Sequence, residues 1–440
     1  MKDIKIVYPL IFILSIFNLT LQQNNFNIPE EYISDSSFIS MTNKSPVSVK
    51  TLYASPKGSG SMCTNTKPCS LSKGLENLNK GYTLYLKGGV YDVQSGVSIE
   101  ISGTNKLYIL ISAAPNEKVY ITSSKTGSFA LFEINASYII IENLIFQNVV
   151  AKDVQGIAFY DGGQNHVIIR NNIFQSINTT KIDEDYGANA ILLLGESDKG
   201  IKQVTIYKNT LRHNKVGYSE VISVAGNCQE IYVLDNYLES NTNIGIDFYG
   251  NAKYCKTPSL DQPRKSVAIN NIIKKSVSTY AECAGLYVDG ARDIYLAGNT
   301  VTNSQYGIEI GSEEKNDKYP VKNIIVKNNK LESNLITGIR VGGYEKQSTG
   351  VVKDCKFLDN TITKTEKGVI ISKAENILFD GNKMTDIDKY FIDMELSSSY
   401  TKNIKIENNV FSGTGKFRLY GESKLSLEEF VEKYPSNSKK

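Results

Sequence analysis

Six short segments of this 440-residue chain share one pattern, a glycine followed by alternating apolar and variable positions, and four of them carry a charge within their first five residues. Those four read GIDFYGN from Gly245, GLYVDGA from Gly285, GIEIGSE from Gly307 and GIRVGGY from Gly338. The first and third positions after each glycine are apolar and expected to face a core, so the second and fourth face outward. Asp247, Tyr249, Tyr287, Asp289, Glu309 and Arg340 occupy those outward positions. Neighbouring strands lie about 4.8 Å apart. Stacking the segments therefore predicts Glu309 beside Arg340, with Asp247, Asp289 and Glu309 around one cavity. Stacked carboxylates repel unless a cation or a proton relieves them. Such a set suits a hard cation, with Ca2+ expected on Asp247, Asp289 and Glu309, or an acid–base pair. Arginine is scarce, six against 43 lysines. Arg340 thus reads as a fork for a carboxylate rather than as a solvated basic face.

Two loops add charge beside these segments. GSEEKND places Glu313, Glu314, Lys315 and Asp317 just after the Glu309 segment, and YSEVISVAGN places Glu220 before its own. Loops on a rigid scaffold often carry function. The acidic run Asp183, Glu184, Asp185 lacks the spacing of an EF-hand. His166 and His213 are the only histidines and stand apart, which argues against a His-based zinc site or a Ser-His-Asp triad. No P-loop, dinucleotide fingerprint or zinc-spaced cysteine pair occurs. The formal net charge of +3 argues against a dedicated nucleic-acid binder, and 41% hydrophobic residues argue against wholesale disorder.

What must position these residues is a repeat. An apolar residue, alternation and then Asn five places on recur as VIIRNN from Val167, VTIYKN from Val204 and IYVLDN from Ile231. The unit continues as IYLAGN from Ile294, IIVKNN from Ile324, CKFLDN from Cys355, ILFDGN from Ile377 and IKIENN from Ile404. The shared slot holds Asn172, Asn209, Asn236, Asn299, Asn329, Asn360, Asn382 and Asn409, with Leu144 and Ile272 expected in two further units. Each unit is too short to bury its own face, so the units must stack as coils around a common core. Period-two alternation makes the coils strands. The 41 asparagines then read partly as a hydrogen-bonded ladder at a left-handed turn. Ser70 is expected to cap a short helix through Leu71, Leu75 and Leu78, and Ser426 with Glu429 forms a capping box for a helix through Phe430. Both helices would shield open ends of the stack.

The chain resembles right-handed parallel β-helix proteins of the pectin-lyase-like superfamily. The resemblance rests on the coil pattern over about residues 51–420 and on the opening TLYASPKGSGS from Thr51 and CSLSKGLENLNKGYTLYLKGGVY from Cys69. That opening is similar to those of secreted polysaccharide enzymes, including family 9 lyases. The resemblance implies an all-β solenoid capped by short helices and a substrate groove along the sheet of Gly-Ile strands. It also implies an extracellular polysaccharide as partner and no nucleic acid. The reading it favours is β-elimination on a uronic-acid polymer such as pectate. Calcium would neutralise the uronate, Arg340 or Lys315 would be base or clamp with Asp289 in the catalytic set, and Tyr249, Tyr287 and Glu220 would bind substrate. The alternatives are a glycoside hydrolase using Asp247 with Asp289, or Asp289 with Glu309, and a non-catalytic glycan-binding rod.

Organisation follows from the ends. Lys2 and Lys5 precede an apolar run from Ile6 to Leu21, which reads as a signal peptide over 1–23 and a secreted, extracellular protein. Residues 24–50 are polar and without pattern and read as a linker. The β-helix is expected over 51–422 and a capping helix with a tail over 423–440, as a monomer and without membrane association after signal removal. Export permits disulfides: Cys63 with Cys69 across a short loop, and Cys228 with Cys255 on neighbouring turns. Cys283 and Cys355 are left over. Sequons stand at Asn43, Asn135 and Asn178.

Overall fold

The computed structural model describes residues 28–33, 35–183, 186–342, 349–421 and 423–439. The expected signal peptide, and Glu184 and Asp185 of the acidic run, lie outside the described residues. The chain winds as a parallel β-helix. One face is a sheet of 13 parallel strands running in register from Lys50–Ala54 to Thr401–Glu407. A second face stacks strands such as Ile173–Thr179 and Thr210–Arg212. The third stacks the Gly-Ile strands, including Ile244–Tyr249, Ala284–Asp289, Tyr306–Gly311 and Thr337–Val341. The last two faces join where the long strands Thr361–Ile371 and Lys383–Met394 cross from one to the other.

Every coil sends one alternate set of side chains inward. Stacked in register, these form a single apolar column from Leu52 to Phe430. Phe174 stacks on Phe146 of the preceding coil, and Phe132 meets Phe146 edge-on. The glycine opening each Gly-Ile strand sits at a tight corner. A Cβ at Gly307 would stand 2.4 Å from the carbonyl oxygen of Gly338, and one at Gly245 2.5 Å from that of Gly285.

The asparagine ladder runs unbroken through Asn172, Asn209, Asn236, Asn271, Asn299, Asn329, Asn360, Asn382, Asn409 and Asn437. Leu144 begins it by donating its N–H to Asn172. Ile272 does not take the slot: Asn271 does, because that coil begins one residue earlier, at Ser266. The ladder asparagine is also not the left-handed residue. That backbone conformation falls on the residue before it, at Asn171, Lys208, Asp235, Asn270 and Asn328, with φ between 52° and 56°. An Asn-Asn pair thus divides two jobs between neighbours. A shorter second ladder, Asn214 to Asn241, turns the next corner.

Both capping helices form. Ser70 caps Leu71–Glu76, and Leu75 and Leu78 are buried. At the other end Ser426 and Glu429 complete the capping box of Leu427–Lys433. Phe430 there stacks on Phe417 with ring centroids 3.6 Å apart. Ser426→Ala is expected to destabilise this cap by about 1 kcal/mol. It should show as faster amide exchange or proteolysis over 427–439, with earlier coils unchanged. Uniform protection in the variant would contradict it.

Of the stretch expected as a linker, the described residues between Ile28 and Thr42 are packed, and those from Lys44 to Val49 are largely exposed. Ile28, Tyr32 and Phe38 are buried against Ile168, Tyr207, Tyr232 and Val267 on the outer face of the 13-stranded sheet. Arg170 holds it by donating to the carbonyls of Met41, Thr42 and Lys44 while pairing with Glu142 at 2.6 Å. The sheet's continuous apolar runs, such as Ile139–Ile141 and Val167–Ile169, need cover on both sides.

Candidate functional site

The outer face of the Gly-Ile sheet is walled by loops, so its outward residues are largely buried. Loops around Tyr186, Tyr218, Tyr254, Glu282 and Glu313 rise beside it and border a half-open cavity of about 500 Å³. Asp247 and Asp289 form part of its floor, each only 2% exposed. Tyr249, Tyr287 and Glu220 also line it, so five sequence-predicted residues meet in one place.

The register sets their order. Asp247 pairs across the strands with Tyr287, Tyr287 with Glu309, and Glu309 with Arg340. Asp289 lies two residues further along its strand, opposite Gly311. That glycine leaves room for Tyr287, since a Cβ at Gly311 would stand 3.0 Å from the Tyr287 hydroxyl. Tyr249 meets Tyr254 edge-on at 5.7 Å.

Three expected site residues stand elsewhere. Glu309 and Arg340 are neighbours as expected, but Tyr287 separates Glu309 from Asp247. The pair is buried outside the cavity with a 3.5 Å ion contact. Arg340 also lies over the ring of Tyr306, whose hydroxyl bonds Glu282. Lys315 sits half exposed in its loop, 3.9 Å from Asp317, and does not reach the cavity. Asp247, Asp289 and Glu309 therefore do not converge. Among the described residues no three His, Cys, Asp or Glu side chains stand close enough to hold a metal ion. Those three side chains thus do not stand together as the joint set expected for Ca2+.

What the cavity has instead is unrelieved acid. Six acidic residues line it: Asp153, Glu220, Asp247, Glu282, Asp289 and Glu313. No Lys, Arg or His does. One Asp247 oxygen is buried without a hydrogen-bond partner. Burial, then the charges of Glu220, Asp289 and Glu313, push the Asp247 carboxyl well above its usual range. Burial and Glu313 do the same to Asp289, opposed by the Glu313 N–H, which donates to it at 2.8 Å. Burial raises Glu220 to about 7, and Glu309 to about 8 against the pull of Arg340.

These shifts predict a pH dependence of stability. Glu220 and Glu309 titrate from near 4.5 when unfolded. Between that value and their raised folded values the folded chain binds more protons. Stability is then fully present below about 4.5 and is lost as pH rises through 7 to 8. Thermal melting followed across this interval at constant ionic strength should show a falling midpoint, and Glu220→Gln should flatten the fall. A rising midpoint would contradict the assignment.

Sequence reasoning missed the bordering loops. Tyr254 comes from the insertion between strands Ile244–Tyr249 and Arg264–Ile269, and the long gap between repeat units there was its only signal. The cysteines divide. Cys63 and Cys69 form a disulfide with Cα atoms 4.6 Å apart. Cys228 and Cys255 do not pair. Cys228 points into the core toward the Ala225 carbonyl, while Cys255 lies in the Tyr254 loop near Asp198. Cys283 and Cys355 are likewise free and buried.

Comparison with known proteins agrees with this architecture. The model of the right-handed beta helix region matches residues 266–427. The uncharacterized protein YwoF of Bacillus subtilis (strain 168) is 30% identical over 386 residues, 84% of this chain and 76% of its own. A family 6 polysaccharide lyase from Pseudopedobacter saltans superposes with a TM-score of 0.50 at 12% identity, over 88% of this chain and 90% of that one. An exopolygalacturonase from Thermotoga maritima also superposes with a TM-score of 0.50 at 12% identity, over 79% and 88%. At such identity these two likenesses speak to fold alone. The chain is a right-handed parallel β-helix protein and belongs to the same family as YwoF.

Proposed function

We propose that this protein is a polysaccharide-cleaving enzyme working by acid–base hydrolysis on a glycan without uronic-acid groups. The observation that carries this is the lining of the cavity, six acidic residues and no basic one. A uronate entering it would meet like charges with nothing to neutralise its carboxylate, which β-elimination requires. Arg340, the expected clamp, is engaged with Glu309 outside the cavity. Hydrolysis needs one protonated and one ionised carboxyl group flanking a sugar, and the cavity offers Asp247 and Asp289 for that pair.

The roles follow from the surroundings. Asp289 accepts a backbone N–H, which favours its ionised form. It serves as the base that activates water. Asp247 has a buried oxygen without a partner and keeps its proton longer, so it serves as the acid toward the glycosidic oxygen. Tyr249 and Tyr287 offer faces and hydroxyls to the sugar rings. Secretion fits this role: the N-terminal basic and apolar pattern would deliver the enzyme to an extracellular polymer.

The test is reducing-end release over a panel of neutral, amino-sugar and uronic-acid polysaccharides, with ultraviolet absorbance of unsaturated products followed in parallel. New reducing ends without unsaturation are expected. Unsaturated products from pectate or alginate would overturn hydrolysis in favour of elimination.

A further inference from the structure

We infer that the cavity binds a sugar ring bearing a protonated amino group, so that the glycan recognised is built from amino sugars with free amines. The inference rests on the hydrolytic reading for its chemistry, but recognition is a separate step. Two carboxyl groups suffice for hydrolysis. The cavity adds Glu220 and Glu313 to Asp247 and Asp289, the charges of the other three bear on Asp247, and no cation stands among the lining residues. A neutral glycan would leave that repulsion in place, and the base would take up a proton and be lost. An ammonium group supplies the missing positive charge and leaves the base ionised when substrate is bound.

The shape of the site separates an ammonium from a metal. A metal ion held by carboxylate side chains needs several of them converging at short range, and no group of three His, Cys, Asp or Glu side chains does so among the described residues. An ammonium has three donors on a tetrahedral nitrogen and accepts dispersed partners. The partnerless buried oxygen of Asp247 is one such acceptor, and Asp247 is only 2% exposed. Glu220 lines the same cavity from the preceding coil, since Ser223 of its strand pairs with Asp247. The edge-on pair Tyr249 and Tyr254 lines the same cavity, and aromatic faces attract cations.

The test compares a glucosamine tetramer with an N-acetylglucosamine tetramer, equal in length and backbone, by calorimetry on the wild-type protein in mildly acidic buffer. The free-amine tetramer is expected to bind at least about tenfold more tightly. The preference should shrink in high salt and be lost in Glu220→Gln. Equal or weaker binding of the free-amine tetramer overturns the inference, as does displacement of that tetramer by Ca2+. Product analysis separates the two readings. Reducing ends released equally from acetylated or neutral glycans overturn amine recognition and leave hydrolysis standing. Selective binding of the free-amine tetramer with no cleavage of any amino-sugar polymer overturns hydrolysis and leaves amine recognition standing.

Discussion

Asp289→Asn is expected to lower the rate of glycan cleavage by about 10²- to 10⁴-fold, the usual range for a positioned acid or base. Asn is nearly the same shape and can still accept the Glu313 N–H seen at 2.8 Å, so the Glu313 loop should stay in place. What it loses is the ability to take a proton from water. Asp247→Asn should fall by a similar factor, because the leaving oxygen then departs without a proton. The pair should be strongly non-additive, the double variant being little worse than either single one, since both serve one step. Removing a carboxyl from this cavity also relieves repulsion. Both variants are therefore expected to melt at or above the wild-type temperature, and that separates chemical loss from unfolding. The measurement is initial rate alongside melting temperature. An Asp289→Asn protein that keeps more than about a tenth of the wild-type rate would remove Asp289 from the mechanism. Exchanging Glu309 and Arg340 together for Gln and Met should leave the rate nearly untouched, because that pair lies outside the cavity.

Asn299→Ala is expected to destabilise the fold by about 3–6 kcal/mol, an unusually large effect for a polar residue. Asn299 is fully buried at the centre of the ladder. Its side-chain oxygen accepts the N–H and amide of Asn271 at 2.9 and 3.0 Å. Its amide donates to the Ala268 carbonyl at 2.9 Å and to Asn329 at 3.0 Å. Alanine leaves a backbone N–H, a backbone C=O and a neighbouring amide without that partner, each costing roughly 1–3 kcal/mol. Neighbouring coils relax in part, which keeps the total below the sum. Because a solenoid is held mainly by contacts between adjacent repeats, the break should be local. Hydrogen exchange should accelerate in the coils around residues 266–330 more than in those near residues 139–170 or 401–412. A loss below about 1 kcal/mol, or uniform acceleration, would mean the ladder follows the fold rather than holding it.

Much of this was legible because a β-helix repeats its own rules. Alternation tells which side of a strand faces the core, and that side is apolar at Ile246, Leu286, Ile308 and Ile339 without exception. The ladder slot was visible at eight positions. It was misassigned at Ile272 because that coil opens on Ser266, a small polar residue where the others have an apolar one. The packed segment from Ile28 to Phe38 escaped notice for a related reason. Its three anchors lie at irregular spacing and take their partners from strands more than a hundred residues away.

The chain's local pattern by itself determined the solenoid, its caps and the adjacency of Glu309 with Arg340. Each depends only on period, capping chemistry and nearest-neighbour stacking. That Glu313 joins Asp247 and Asp289 in the cavity while Glu309 does not was decided by the tertiary structure. A two-residue offset along one strand places Tyr287, not Asp289, opposite Asp247. Loops of no repeating length then border that face and bring Glu313 and Tyr254 to it. Side-chain direction is a local property of a strand. Burial, and with it the proton affinity on which the proposed chemistry rests, belongs to everything that packs above the strand.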